Sequence, residues 1–363
     1  VFGSAMMRAV IKVIDHPGKV MQEKMNSRGM SRKELALRTG VTEKHICTIL
    51  NGNKGISTGF ARKLGYVFED TIFWMNLQAQ YDSAQLRLQE ENEVTQEEKD
   101  LLKPLHEIVS YLSKRKHISG VGGEIIQVLE LREFLQISNL TQIPKITYNA
   151  AYRAQLTSNV KVDPYVLFAW QRMCEVETEI IQTKENLNKD ILRNSVSIIR
   201  NAMFGNINTG IRELQGIFAE CGIAFQVVKN FRGAPVQGFI KESGERLILC
   251  LTIRGKRADR FWFTLFHEIA HILNDDYKMR FVDFDSVSGK AEEIADQYAR
   301  DILIPSQKYR NFIMSRENFT WNDIQVFAET IKVQPFIVLG RLQNDGILDW
   351  SDYSDKVLRY EWA

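Results

Sequence analysis

The sequence predicts a mainly α-helical chain of more than one domain, with one small β-sheet in its second half. At 363 residues it is longer than one ordinary hydrophobic core supports, so two or three domains are expected. Helical patterns recur through most of the chain, separated by Gly and N-cap signals. After residue 222 the pattern changes to short runs rich in β-formers, namely IAFQVV, VQGFIK and RLILCLTI.

The composition is that of an ordinary globular protein of a reducing compartment. Hydrophobic residues make up 44% and charged residues 25%, and the formal net charge is +2, so any DNA-binding surface must be local. The four cysteines are scattered without a CxxC pair, which argues against a disulfide framework and a thiolate zinc site. We see no signal-peptide pattern and no apolar run near the roughly 20 residues that cross a bilayer. We therefore expect a cytoplasmic protein without a membrane partner.

The N-terminal part contains a helix-turn-helix pattern. Residues 1–15 are expected to be a tag remnant, VFGSAM, and an N-terminal arm, with a DNA-binding domain over 16–82. Within that domain SRKELALRTGVTEKHICTILNGNKG, residues 31–55, fits a helix, a turn containing Gly40 and a second helix. SRKE predicts a capping box at the first helix, and Thr42 is a suitable N-cap for the second.

The second helix of this motif has an apolar face and a polar face. Its apolar residues predict burial, whereas Glu43, Lys44, Thr48 and Asn51 lie on the face that would meet the major groove. Between residues 16 and 54 there are eight Lys or Arg and three Glu, a net +5, so phosphate contacts would supply most of the affinity. The alternative is a helical hairpin used for protein contact.

This N-terminal block resembles the HigA-type antitoxins of the Xre helix-turn-helix class. The matching segments are HPGKVMQEKM, GMSRKELALRTGV, ILNG and FWMNLQAQYD. The resemblance implies a five-helix fold like that of lambda repressor, a homodimer, operator DNA as partner and a HigB-like toxin as a candidate partner. The candidate DNA-binding residues are then Arg32, Thr42, Glu43, Lys44, Thr48, Asn51 and Lys54.

Residues 83–205 are predicted to form a helical connector. It begins with the acidic run QEENEVTQEEKD at 89–100, in which six carboxylates accompany one lysine. Such a run predicts a solvated helix or a linker.

A metal-binding motif follows the predicted strands, in RFWFTLFHEIAHILND at 260–275. On a helix, HExxH places His267 and His271 one turn apart, where both imidazoles can reach one metal, with Glu268 beside them. Zinc suits such ligands and lowers the pKa of a bound water, whose proton the glutamate accepts. The alternative is chance spacing. A helical wheel places the histidines away from the apolar stripe, on a face where a cleft could lie.

A third ligand is predicted on the next helix, KAEEIADQYARDILI at 290–304. Glu292 falls within the apolar stripe of that helix, where a lone carboxylate is costly unless a cation or metal meets it. Asp296, at the edge of the stripe, could hold a histidine in place. The alternative is that Glu292 pairs with a basic side chain such as Arg260.

Residues 210–345 resemble the ImmA/IrrE family of zinc metallopeptidases. The resemblance is carried by HEIAH, by ExxADxYA, in which Tyr298 replaces the usual Phe, and by ILIP. It implies a zincin-like α+β domain over 206–363 that binds Zn²⁺ through His267, His271 and Glu292, with Glu268 as general base. Arg254, Tyr277 and Tyr298 remain alternative stabilisers of the oxyanion. RLILCLTI could offer a strand edge to an extended peptide.

Two local patterns complete the prediction for this domain. ESGE at 242–245 is a plausible hairpin turn within a small antiparallel sheet. IQVFAETIKVQPFIVLGRL predicts two helices joined near Val333, of which the second is apolar and should form the C-terminal extension packed on the core.

Together these features predict a DNA-binding regulator whose zinc endopeptidase domain cleaves one partner protein, either a repressor or a toxin. One alternative is an antitoxin or repressor whose zinc domain is a sensor or a structural module without turnover. Another is a metallopeptidase whose N-terminal domain only docks a protein.

Overall fold

The computed structural model describes residues 15–68, 70–146, 162–184, 186–205, 207–277 and 288–361. The predicted fold class is confirmed, because these residues form mainly α-helices with one small sheet. The tag remnant and arm predicted for 1–15 lie outside the described residues, Asp15 excepted. Within the described ranges, no helix is both long enough and apolar enough to span a membrane.

The chain divides into two compact units. The first comprises Val1–Lys103 and Val109–Ser138, and the second comprises Pro104–Ile108 and Asn139–Ala363. The first eight helices are α1 (Pro17–Ser27), α2 (Arg32–Thr39), α3 (Glu43–Leu50), α4 (Thr58–Val67), α5 (Thr71–Glu93), α6 (Gln96–Asp100), α7 (Leu102–Lys114) and α8 (Glu124–Leu135). Helix α5 runs without a break past residue 82, where the sequence predicted the end of the DNA-binding domain.

Local capping sets the boundaries of the helix-turn-helix. The Ser31 hydroxyl accepts a hydrogen bond from the backbone N–H of Glu34 at 3.1 Å, which starts α2. Gly40 ends that helix in the left-handed region, with φ 61°, and the Thr42 side chain caps α3. The capping box is only half confirmed, because the Glu34 carboxylate pairs with Arg38 at 2.7 Å.

The core of the first unit holds α1 and α3 in close contact. It is lined by fully buried side chains that include Met21, Leu35, Ile46, Ile49, Leu64 and Trp74. Gly18 faces the carbonyl oxygen of Ile49 so closely that a Cβ at position 18 would lie 2.1 Å from it. A glycine is therefore required where the two helices meet.

The acidic run is not wholly solvated, contrary to the prediction. Glu98 is completely buried, and its carboxylate accepts two hydrogen bonds from Arg132, at 2.9 and 2.5 Å. A bidentate guanidinium compensates the buried charge, which a charge count along the sequence could not indicate.

Among the residues described above, the second unit contains eight further α-helices and the sheet. The helices are α9 (Pro164–Glu179), α10 (Lys189–Asn201), α11 (Ile207–Glu220), α12 (Ala258–Asn274), α13 (Ser288–Leu303), α14 (Ser306–Met314), α15 (Trp321–Ile331) and α16 (Pro335–Asn344). The strands are β1 (Ile223–Val227), β2 (Gly238–Ser243) and β3 (Arg246–Leu251).

The sheet has the order β1-β3-β2 and is mixed. The predicted hairpin is confirmed, since Ser243 pairs with Arg246 around Gly244, whose φ is 65°. The predicted antiparallel sheet is correct for β2 and β3 but wrong for β1, which runs parallel to β3. The suggested strand edge in RLILCLTI is also wrong, because β3 is central and its backbone is hydrogen-bonded on both sides.

Helix α12 packs its apolar face into the core of this unit. Its buried residues include Phe261, Trp262, Leu265, Phe266 and Ile269. The predicted C-terminal helices are confirmed as α15 and α16, and the apolar residues of α16 join the same core. The interpretation of α16 as a packing helix agrees with this arrangement.

Two cations from α10 bind the C-terminal ends of other helices. Arg200 donates to the carbonyl oxygens of Leu303 and Ile331, at 3.3 and 2.7 Å. Lys189 donates to the carbonyl of Leu273 and pairs with Asp275, where α12 ends. A cation at these positions satisfies terminal carbonyls and complements the helix dipole.

Candidate metal centre and DNA-binding surface

Helix α12 presents the HExxH residues to α13 and to the beginning of β2. His267, Glu268 and His271 are all buried, with 9%, 0% and 0% of their surface exposed. The sequence predicted that the histidines face away from the apolar stripe, where a cleft could lie, and the face they occupy is covered by protein. Burial of three ionisable groups requires that each be matched by a charge, a hydrogen bond or a metal.

The two imidazoles and the carboxylate of Glu292 converge on one point. The Nε2 atoms of His267 and His271 lie 2.9 Å apart. Oε2 of Glu292 lies 3.0 Å from Nε2 of His267, and Oε1 lies 3.6 Å from Nε2 of His271. Donor atoms of all three residues fall within 4.8 Å of one another, which is the cluster that the sequence predicted.

The orientation of the imidazoles suits a zinc ion. Nδ1 of His267 donates to Asp296 at 2.9 Å, and Nδ1 of His271 donates to Asp276 at 2.7 Å, so each Nε2 is directed to the shared point. Two nitrogens at about 2.0–2.1 Å from a tetrahedral zinc lie roughly 3.3 Å apart, within a few tenths of an ångström of the observed separation. The donor set therefore fits the ion.

The charge of His267 in the metal-free protein follows from its neighbours. Burial alone would lower its pKa, but hydrogen bonds to Asp296 and Glu292 outweigh that effect and raise the pKa to about 9. An imidazolium at this position accounts for the short contacts of its Nε2 with both Glu292 and His271. A metal ion would replace its proton as the positive charge at the centre.

Glu268 lies against the backbone of β2. A Cβ atom on Gly238 would stand 2.3 Å from Oε1 of Glu268, so only glycine leaves room for the carboxylate here. The charge of Glu268 also helps to raise the pKa of His267, so its buried carboxylate lies near the candidate ligand cluster as well as against β2.

Arg260, which the sequence offered as an alternative partner for Glu292, contacts a different residue. The guanidinium of Arg260 lies 5.5 Å from the ring centroid of Trp350, whereas the carboxylate of Glu292 is turned to the two histidines. Asp296 holds His267 in the way the sequence predicted.

The three candidates for an oxyanion stabiliser have different surroundings. Arg254 donates to the carbonyl oxygen of Pro235 at 2.9 Å, which gives it a structural role at the entrance to β2. The hydroxyl of Tyr277 donates to Glu242 at 3.4 Å, and burial, the largest cause, raises its pKa to about 12. Burial also raises the pKa of Tyr298.

Sequence reasoning missed two residues of the centre. Asp276 follows the end of α12, where an acidic residue is unremarkable by sequence, yet it is buried and fixes His271. The only available signal was its spacing of five residues from the second histidine. Gly238 carried no signal, because its role depends on the approach of β2 to α12.

The predicted DNA-binding residues lie on the surface of the helix-turn-helix. Most of them are exposed, namely Arg32, Thr42, Glu43, Lys44, Asn51 and Lys54. Thr48 is half-buried, and its hydroxyl donates to the carbonyl oxygen of Lys44 at 2.7 Å. In this conformation Thr48 offers its methyl group rather than a free hydroxyl donor. The buried faces of α2 and α3 agree with the prediction, with Ala36, Ile46 and Ile49 in the core.

The electrostatics of this surface are positive. The pKa of His45 is lowered, first by burial and then by the nearby charges of Lys54 and Lys63. The His45 imidazole packs edge-on against the ring of Phe60, with the two ring centroids 5.1 Å apart. A neutral histidine there leaves exposed lysines and arginines, such as Lys44, Lys54 and Arg32, as the cations available to a phosphate backbone.

Comparison with known proteins finds a local sequence match that covers about a fifth of this chain. The chain is 37% identical over 73 residues to virulence-associated protein A′ of Dichelobacter nodosus, a match covering 20% of this chain and 64% of the relative. This chain thus spans somewhat less than two thirds of that relative's length. No model of a known protein family matches the chain.

A solved structure of an addiction module antidote protein of a HigA family, from Coxiella burnetii, is also similar. It is 31% identical and covers 23% of this chain and 96% of that chain, with a TM-score of 0.20. A TM-score of that size is too low to establish a shared fold.

Proposed function

We propose that this protein is a DNA-binding regulator with a zinc-dependent endopeptidase domain that cleaves one partner protein, a repressor or a toxin. The observation that carries the enzymatic part is the convergence of His267, His271 and Glu292, with buried Glu268 beside them. Ligands from two helices, each imidazole held by its own carboxylate, are the arrangement that metal centres need.

The residues would divide the chemistry as follows. His267, His271 and Glu292 would hold zinc, which when bound supplies Lewis acidity and an acidified water. Glu268 would accept a proton during attack on the peptide carbonyl and return it to the leaving amine. Asp276 and Asp296 would keep the Nε2 atoms in position for the metal.

The test compares wild-type protein with Glu268→Gln, using a synthetic random-sequence peptide library analysed by mass spectrometry. We expect one zinc per chain in both proteins and cleavage by the wild type alone. The matched control is Glu293→Gln, an exposed glutamate on α13, which should cleave as the wild type does. Cleavage by Glu268→Gln at the wild-type rate would show that another group is the base.

The second candidate is an antitoxin or repressor whose zinc centre is structural or a sensor. It is favoured by burial of the cluster, since His271 and Glu268 have no exposed surface. This function predicts that chelation of zinc unfolds the second unit or changes DNA binding, while neither the library nor the product of any neighbouring gene is cleaved.

The DNA-binding part rests on the exposed polar face of α3 and the cations around it. We propose operator DNA as the partner, and its affinity should fall steeply with salt, as a Lys-rich contact surface requires. Lys44→Ala should weaken binding to the promoter of its own gene and reduce the salt slope by about one. Lys114→Ala, an exposed lysine on α7, is the control. An unchanged slope for Lys44→Ala would exclude the proposed contact.

We also propose that the protein acts as a homodimer and, by its sequence resemblance to HigA antitoxins, that a HigB-like toxin is a partner. The dimer is supported by apolar side chains exposed on α4 and α5, among them Tyr66, Ile72 and Met75. Sedimentation tests this proposal: the wild type should be a dimer, and the Ile72→Glu variant should be a monomer. A monomeric wild type at micromolar concentration would contradict the proposal.

A further inference from the structure

A cavity of about 270 Å³ adjoins the metal centre within the second unit. It lies between α12, α13 and α16, and its wall includes Asp296, the carboxylate that accepts a hydrogen bond from His267. Its remaining wall is part apolar, from side chains such as Phe263, Ile304 and Ile337. A pocket with apolar walls and a few convergent polar groups is the usual form of a ligand site.

The cavity also contains three arginines, and their partners differ. Arg341 pairs with Asp345 at 2.7 Å, and Arg300 lies 3.7 Å from Asp296. Arg260 is exposed and stacks on Trp350, and among the described residues it has no carboxylate within ion-pair distance. Its guanidinium donors are therefore available to a ligand at the mouth of the cavity.

The acidic residues of the cavity do not compete for this cation. Asp259 receives a bidentate pair from Arg257, at 3.0 and 3.1 Å, and Asp296 accepts from His267. A planar guanidinium supported by an aromatic ring matches the two oxygens of a carboxylate.

We propose that this cavity binds a carboxylate of a peptide substrate and that Arg260 is the residue that selects it. The proposal rests on the peptidase function above. Arg260 and His267 lie on one face of α12, seven residues or about 10 Å apart at 1.5 Å per residue. An extended peptide advances about 3.3 Å per residue, so the carboxylate lies roughly three residues from the scissile bond. The chemical class is an Asp or Glu side chain, or a C-terminal carboxylate at that distance.

The experiment uses the full chain and a random dodecapeptide library made in two forms, with free and with amidated C-termini. Cleavage by the wild type is profiled by mass spectrometry. We expect enrichment of Asp and Glu about three positions from the cleaved bond, by about tenfold, the order of one charge-assisted hydrogen bond. Enrichment restricted to free C-termini would identify the terminal carboxylate as the source instead.

Arg260→Met should abolish this enrichment, and Arg260→Glu should replace it with a preference for Lys and Arg. Arg310→Met, an exposed arginine on α14 outside the cavity, is the matched control and should keep the wild-type profile. Enrichment that persists in Arg260→Met, or a wild-type profile indifferent to acidic residues, would overturn the proposal.

A binding measurement separates this inference from the peptidase function. Zinc-loaded Glu268→Gln is incubated with the same library, and retained peptides are identified after filtration. Acidic peptides should be retained about tenfold over neutral ones, and the further Arg260→Met change should remove the difference. If the wild type cleaves nothing but this selective retention is seen, the peptidase function fails and the carboxylate site stands. Retention indifferent to carboxylates would exclude the site.

Discussion

Glu268 is packed so closely on Gly238 that a methyl group at position 238 would stand 2.3 Å from its Oε1 atom. The side chain proposed as general base is thus positioned by a glycine of β2. The position of the carboxylate depends on the distance between a strand and a helix, and that distance is set by the core behind them.

Gly238→Ala tests this dependence. We expect the cleavage rate to fall at least about tenfold, because overpacking by one methyl forces Glu268 from its place at a cost of about 1–3 kcal/mol. Zinc content should remain at one per chain, since His267, His271 and Glu292 are not touched. The measurements are peptide-library cleavage and metal analysis.

The control for that change is Gly216→Ala. Gly216 is exposed on α11, and a Cβ there meets nothing within 4 Å. It should cleave normally and unfold at the wild-type temperature or slightly above it. Wild-type cleavage by Gly238→Ala would show that the contact with Glu268 has no catalytic importance.

A second prediction concerns Asp276, which accepts a hydrogen bond from His271 at 2.7 Å. Asp276→Ala should lower zinc affinity about 10–100-fold, because the imidazole loses the partner that fixes its orientation and tautomer. Competition with a chromogenic chelator measures the affinity. Asp275→Asn is the matched control: it removes the carboxylate next to Asp276, and Asn tolerates the left-handed φ of 62° observed there. Equal affinities of the two variants would contradict the role of Asp276.

The convergence of the candidate ligands was predictable from sequence because a helix converts spacing into direction. His267 and His271 are four residues apart, and Glu292 lies in an apolar stripe of the next helix, so their meeting across two helices followed from local rules, whereas the full burial of His271 did not. The hairpin around Gly244 was predictable for the same reason, since turn chemistry is local.

What was missed depends on pairing over long distances. The parallel alignment of β1 with β3 is decided by how a strand at residue 223 meets one at residue 247, and neither strand encodes it alone. The burial of Glu98 depends on Arg132, 34 residues later. A charge pattern read in a short window shows neither relationship.

A third prediction is that zinc binding strengthens as pH rises. In the metal-free protein the pKa of His267 is about 9, so one proton must leave before its Nε2 can bind a metal. Affinity should therefore rise close to tenfold per pH unit between about 7 and 9 and level off above pH 9. Calorimetry in buffers of different ionisation enthalpy measures the released proton. A flat affinity across this range would contradict the assigned charge state.

In the metal-free protein the same pKa makes folding stability fall as pH rises, the opposite of the trend in zinc affinity. The folded pKa of His267 lies above its ordinary value of 6.5, so this group contributes stability fully below pH 6.5. That contribution is lost as pH rises through about 9. Asp296→Asn removes one of the hydrogen bonds that raise the pKa of His267, so it should reduce the pH dependence of both zinc affinity and metal-free stability. Asp301→Asn, on the exposed side of α13, is the control and should reduce neither.

The last prediction concerns the support of the DNA-binding surface. Gly18→Ala should destabilise the contact of α1 with α3, because the new Cβ would lie 2.1 Å from the carbonyl oxygen of Ile49, and a backbone atom cannot rotate away. A loss of about 1–3 kcal/mol in the free energy of unfolding is expected for overpacking of this kind.

Hydrogen exchange of the backbone amides of residues 17–50 would report this loss within the first unit, independently of the second unit. Gly59→Ala, where a Cβ on α4 meets nothing within 4 Å, should leave protection unchanged or slightly higher. Because α3 carries Lys44 and is followed by Asn51, weaker packing beneath it should also weaken promoter binding. Equal protection in both variants would refute the proposed support.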